Sequence, residues 1–77
     1  NPFNPTTTIS FTLPRSSDVR LEVFDILGRS VESRDLGYRS VGDHAVEYDA
    51  SALSCGVYFY RLVTDYAQQS RKMLLVK

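Results

Sequence analysis

The sequence predicts an all-β fold, a small antiparallel β-sandwich of about six or seven strands, and three observations carry that expectation. Val57-Tyr58-Phe59-Tyr60-Arg61-Leu62, reached through Gly56, is rich in strand-forming residues with rings on both faces. It reads as a strand covered on both sides at the centre of the domain. Several other short segments alternate apolar and polar residues with a period of two. Clusters of Gly, Pro, Asp and Ser punctuate those segments at short intervals.

Length and composition set limits. A chain of 77 residues buries only about 60% of its surface on folding, enough for one core, so residues 1–77 are expected to form a single domain. With 43% hydrophobic and 23% charged residues, it is a globular and not a disordered sequence. Nine basic residues balance nine acidic ones, so the totals lack the cationic excess of a nucleic-acid or anionic-membrane binder. No apolar run is long enough to span a bilayer, and none of these residues reads as a signal peptide, so any export signal of that kind is expected outside them. The single cysteine, Cys55, cannot form a disulfide within the chain, and between Ser54 and Gly56 it reads as a small residue filling a turn.

In chain order, Asn1-Pro2-Phe3-Asn4-Pro5 is a stiff lead-in over residues 1–6, because its two prolines lack backbone donors and hold the preceding residues extended. From Thr7 to Leu13, Ile9, Phe11 and Leu13 alternate with Thr8, Ser10 and Thr12, the pattern of a half-buried strand that Pro14 ends. A second strand, about Asp18 to Phe24, points Val19, Leu21 and Val23 to one face and Asp18, Arg20 and Glu22 to the other. Asp25-Ile26-Leu27-Gly28 then fits a type I hairpin turn closed by a left-handed glycine. The returning strand, Arg29 to about Asp35, has few apolar residues beyond Val31 and is expected at a charge-protected edge.

Gly37 and Gly42 bracket an expected loop through Tyr38-Arg39-Ser40-Val41, after which His44, Val46 and Tyr48 share one face of a short strand. Asp49 to Leu53 is expected to make one helical turn capped by Asp49, with Leu53 plugging the bottom of the core. The spacing from Leu53 through Gly56 to Tyr58 matches a tyrosine corner, in which a phenol hydrogen-bonds backbone a few residues upstream. A turn near Asp65-Tyr66-Ala67 leads to a last strand, about Ser70 to Val76.

The chemistry of catalysis and metal binding is missing from this pattern. His44 is the only histidine, and no serine sits in a Gly-x-Ser-x-Gly elbow or a similar sharp turn, so the chain reads as no enzyme. One Cys and one His cannot build a zinc site. Asp43 and Asp49 are not part of an Asp-rich calcium loop, and no cofactor is expected. Tyr38 and Tyr66, in expected loops, are the candidates for exposed rings that could stack on a sugar, whereas the rings of the aromatic strand belong to the core.

Five motifs in order, Asn1 to Ile9, Val23 to Arg29, Gly42-Asp43-His44, Leu53 to Leu62 and Lys72 to Lys77, resemble the type A C-terminal sorting domain of the type IX secretion system. The Ig-like domain of flagellar hook-capping proteins is similar too. The resemblance covers nearly the whole chain and implies an Ig-like or fibronectin III-like sandwich. It also implies a non-catalytic signal on a large exported cargo of Bacteroidetes-like bacteria. The implied partners are an outer-membrane translocon or shuttle protein of that system, and a sortase-like peptidase. The implied route runs through the periplasm to the cell surface or the medium. By position, the resemblance assigns recognition to Gly28 and Arg29 in the hairpin, Gly56 and Tyr58 in the Gly-x-Tyr strand, and Lys72 and Lys77 around the last strand. Against it stands an Ig-like accessory module of an extracellular enzyme or adhesin, binding polysaccharide or acting as a spacer.

Overall fold

A computed structural model describes residues 6–75, and the expectations for Asn1 to Pro5, Val76 and Lys77 fall outside them. Six antiparallel strands follow in order: β1 (Thr6–Leu13), β2 (Ser17–Phe24), β3 (Ser30–Arg39), β4 (Gly42–Asp49), β5 (Gly56–Val63) and β6 (Gln68–Leu75). β3, β2, β5 and β6 form one sheet in that order, and β1 pairs with β4 in a second. The architecture is the expected small all-β sandwich, with no helix among the described residues.

Alternation dictates which side chains meet between the sheets. Ile9, Phe11 and Leu13 of β1 are buried with Val19, Leu21 and Val23 of β2, Tyr58, Tyr60 and Leu62 of β5, and Met73 and Leu75 of β6. In each strand these are alternate residues, so a one-residue slip would place the whole set in water. Tyr48 and Ala50 complete the cluster, with Leu36, Val46 and Leu53 packed against it. Leu53 thus lies at the core as expected.

The structure corrects the sequence reading at several points. β5 is an inner strand, but only one of its faces is layered: Phe59, opposite to Tyr58 and Tyr60, is 39% exposed. Two sheets make two outer faces, and rings there need no cover. The returning strand is longer than expected and takes in Gly37, Tyr38 and Arg39, leaving Ser40 and Val41 as the connection to β4. A register shift against β2 at Val19/Arg20, which leaves Leu36 without an opposite residue, lets β3 continue through Gly37, and a second at Val23/Phe24 lies at the hairpin end. Thr6 belongs to β1 and not to the lead-in. In place of a helical turn, Leu53 N–H donates to the Ala50 carbonyl in a tight turn, while Asp49 Oδ1 accepts the Ser51 amide at 2.9 Å. Cys55 is exposed and fills no buried space.

Candidate functional site

The β2–β3 hairpin is built around one carboxylate. Asp25 Oδ1 accepts the amides of Leu27 and Arg29, each at 2.9 Å, and Oδ2 accepts Arg29 Nε at 2.8 Å. Gly28 N–H donates to the Asp25 carbonyl at 2.9 Å, and Gly28 takes φ +82°, the left-handed conformation that L side chains resist. No atom lies within 4 Å of where a Cβ would stand on Gly28, so the backbone and not crowding demands glycine. Amides of Arg29 and Leu27 and the Arg29 guanidinium hold the Asp25 carboxyl below its ordinary pKa, the Arg29 amide contributing most. The turn holds Ile26 and Leu27 out in water, 70% and 72% exposed.

Tyr58 makes the expected corner. Its ring is buried and its hydroxyl donates to the Ser54 carbonyl at 2.9 Å, fixing the loop that precedes β5. Gly56 opens that strand at φ +148°, with Tyr58 Cε2 4.0 Å from a notional Cβ. Tyr58 is therefore a core and corner residue, its ring turned inward.

The outward face of the four-stranded sheet carries the remaining features. Phe24 of β2 pairs in register with Phe59 of β5, and Phe59 with Lys72 of β6. One step further on, Val57 pairs with Leu74, which is 66% exposed. On the other side of this row, Arg61 donates to Glu22 Oε1 through Nε at 2.9 Å and Nη2 at 2.6 Å, while Arg20 Nε reaches Oε2 at 3.2 Å. The Arg61 hydrogen bonds hold the Glu22 carboxyl below its ordinary pKa. Arg61 also lies 5.0 Å from the centroid of the Phe24 ring.

Register thus gathers the hairpin with Gly28 and Arg29, the start of β5 with Gly56 and Tyr58, and Lys72 at one end of this sheet. Tyr58 points inward, whereas Phe59, Lys72 and Leu74 point out beside the Ile26-Leu27 tip. Sequence reasoning assigned Phe59 to the core and passed over Ile26, Leu27 and Leu74. The signal was available: Phe59 is out of phase with Tyr58 and Tyr60, and Leu74 is out of phase with Met73 and Leu75.

Tyr38 is exposed but lies on β3. Tyr66 is half-buried, its hydroxyl donating to the Arg15 carbonyl at 3.1 Å and its ring 4.5 Å below the Arg15 guanidinium. The two rings expected to stack on a sugar therefore do not form a pair of free loop tyrosines. Among the described residues, no three His, Cys, Asp or Glu side chains cluster to hold a metal ion, and no helix is long and apolar enough to cross a membrane.

The molecule is a small two-layer sandwich with a tight polar hairpin, an anchored tyrosine corner and side chains displayed on one outer face. The family model of the secretion system C-terminal sorting domain matches residues 1–77, the whole chain. The chain belongs to that family, the sorting domains of type IX secretion. Members are sorting signals that engage the secretion machinery and send proteins to the cell surface or extracellular space. Comparison with curated proteins found no match, and comparison with solved structures found none.

Proposed function

We propose that the folded sandwich is the export signal of a large cargo protein, and that an outer-membrane translocon or shuttle protein of the type IX system docks along β6. The domain is then a substrate of transport. It passes through the periplasm, and a sortase-like peptidase removes it as the cargo is released or attached at the surface.

One observation carries this reading: β6 is an outermost strand of the four-stranded sheet, with Lys72 and Leu74 exposed on it. An outermost strand has free backbone groups along one side, which a partner can extend without reading the cargo. Lys72, with Lys77 in the same basic frame, supplies charge, and Phe59 and Leu74 supply an apolar strip next to it. Gly28, Arg29, Gly56 and Tyr58 contribute by holding the hairpin and the β5 start in place.

The experiment is export of a reporter fused to this domain in a type IX-competent host. Lys72→Glu and Leu74→Ser, both at exposed positions, are expected to keep the urea midpoint of the purified domain and to trap the reporter inside the cell. Full export by both folded variants would overturn docking along β6. Leu74→Pro, where it folds, tests whether the backbone itself is read.

A further inference from the structure

The two-stranded layer crosses the four-stranded sheet. At one end of β4 the Tyr48 hydroxyl donates to Glu32 of β3, and near its other end Asp43 and His44 border Gln69 and Arg71 of β6. Gln69 and Arg71 alternate in phase with buried Met73 and Leu75, so they belong to the inner face of β6, yet both are exposed. The inner faces of a sandwich ordinarily interdigitate as core. Here the layers instead leave a groove of about 670 Å³, within the size range of ligand clefts.

The groove holds two opposite charges that do not neutralise each other. On β6, the side chains of Arg71 and Gln69 make no hydrogen bond or ion pair among the described residues. On β4, Asp43 Oδ1 accepts the Thr12 hydroxyl at 2.7 Å, and the carboxylate makes no ion pair with Arg71. In the same groove the half-buried His44 imidazole stacks on the Phe11 ring, their centroids 5.4 Å apart and their planes 24° from parallel. A carbonyl can only accept, so His44 Nε2 donates to the Ser40 carbonyl at 2.7 Å, which holds the ring in place. The neutral imidazole then keeps Nδ1 as an acceptor.

We infer that this groove is a carbohydrate-binding site, one that takes the neutral sugars of a glycan chain. The balance of charge selects that class. An anion drawn to Arg71 would meet Asp43, a cation drawn to Asp43 would meet Arg71, and like charges brought together cost affinity. A hydroxyl both donates and accepts, so neighbouring hydroxyls of one sugar ring donate to Asp43 and accept from Arg71 and Gln69. The apolar C–H face of that ring packs against the His44 imidazole, which Phe11 backs. The groove continues past Phe11 and Gln69 into a second hollow of about 310 Å³ that reaches Leu13 and Tyr66, which gives a chain of sugars room to run on. The inference goes beyond the sorting function and does not rest on it, so export through β6 and sugar binding stand or fall separately.

The test is an NMR titration of the 77-residue chain with cellohexaose, maltohexaose, mannohexaose and xylohexaose, following backbone and arginine side-chain N–H signals. At least one sugar is expected to give saturable shifts at millimolar concentration, centred on Phe11, His44, Gln69 and the Arg71 Nε–H. Arg71→Ala and Asp43→Ala, both at exposed positions, should keep the urea midpoint. Each should weaken that sugar by about tenfold, as loss of one hydrogen bond to a charged group does. Oligogalacturonate, an anion, and phenylalanine, a zwitterion with a ring, should leave these signals in place. No saturable shift with any of the four sugars would overturn the inference. So would tighter binding of oligogalacturonate or phenylalanine, or a sugar affinity that both folded variants leave unchanged.

Discussion

The Tyr58 hydroxyl and the Ser54 carbonyl meet at 2.9 Å, joining a buried ring to the loop that delivers β5. One side chain thus serves both the core and the local backbone. Tyr58→Phe keeps the ring and removes the donor, and it is expected to lower stability by about 1 kcal/mol, the usual worth of one intramolecular hydrogen bond. Urea denaturation measures this, and exchange of the amides preceding β5 should quicken alongside. An unchanged midpoint would mean that the hydroxyl does not hold the loop.

Gly28 tests the hairpin. An alanine there meets no neighbour but must adopt φ +82°, so Gly28→Ala should cost about 1–2 kcal/mol through backbone strain alone. Gly28→Asn should cost less, because asparagine tolerates the left-handed region. Equal stability of the two variants would argue against that turn geometry.

Acid stability follows from Asp25 and Glu22. Both folded-state pKa values lie below the ordinary ones of 3.8 and 4.5, so the folded form favours the ionised carboxylates. Their contribution is fully present above those ordinary values and is lost as pH falls through the depressed folded values. The thermal midpoint should be flat from neutrality down to about pH 5, where both carboxylates are ionised in either state, and should then decline. Combining Asp25→Asn with Glu22→Gln should flatten the acid limb, and a limb of unaltered steepness in the double variant would refute the assignment.

Ser17 joins distant turns. Its buried hydroxyl donates to the Asp18 carbonyl at 2.7 Å and accepts the Asp65 amide at 2.9 Å, linking the start of β2 to the β5–β6 connection. Ser17→Ala removes that acceptor and should destabilise by about 1–3 kcal/mol, the cost of leaving a shielded donor unmet. Faster exchange of the Asp65 amide is the specific signature. A loss of stability without it would place the effect elsewhere.

Strand existence was legible wherever one face is buried, because Ile9-Phe11-Leu13 and Val19-Leu21-Val23 can only alternate as they do in a layered sheet. Asp25 to Gly28 was legible for a different reason: turn chemistry is local, and the same residues that form it appear in order. The corner was legible from Tyr58 and its spacing to Leu53. Misreadings arose where tertiary pairing decides. Gly37 and Tyr38 look like a loop until β2 provides a partner, and Phe59 looks like core until the number of layers is known. Ser17 gave no signal, since its partner amide lies far along the chain. For the candidate recognition surface, positions were readable but orientation was not, and only register separates inward Tyr58 from outward Phe59 and Lys72.

The pairing of β1 with β4 spans the entire β2–β3 hairpin, whereas β2–β3 and β5–β6 join neighbours in the chain. Closing the larger loop costs more chain entropy before any contact repays it, so the hairpins are expected to assemble early and the two-stranded layer to dock late. The thinner layer would then behave as a lid that closes last and leaves first. Substitutions in β1 should chiefly accelerate unfolding, while those in the β2–β3 hairpin should slow refolding.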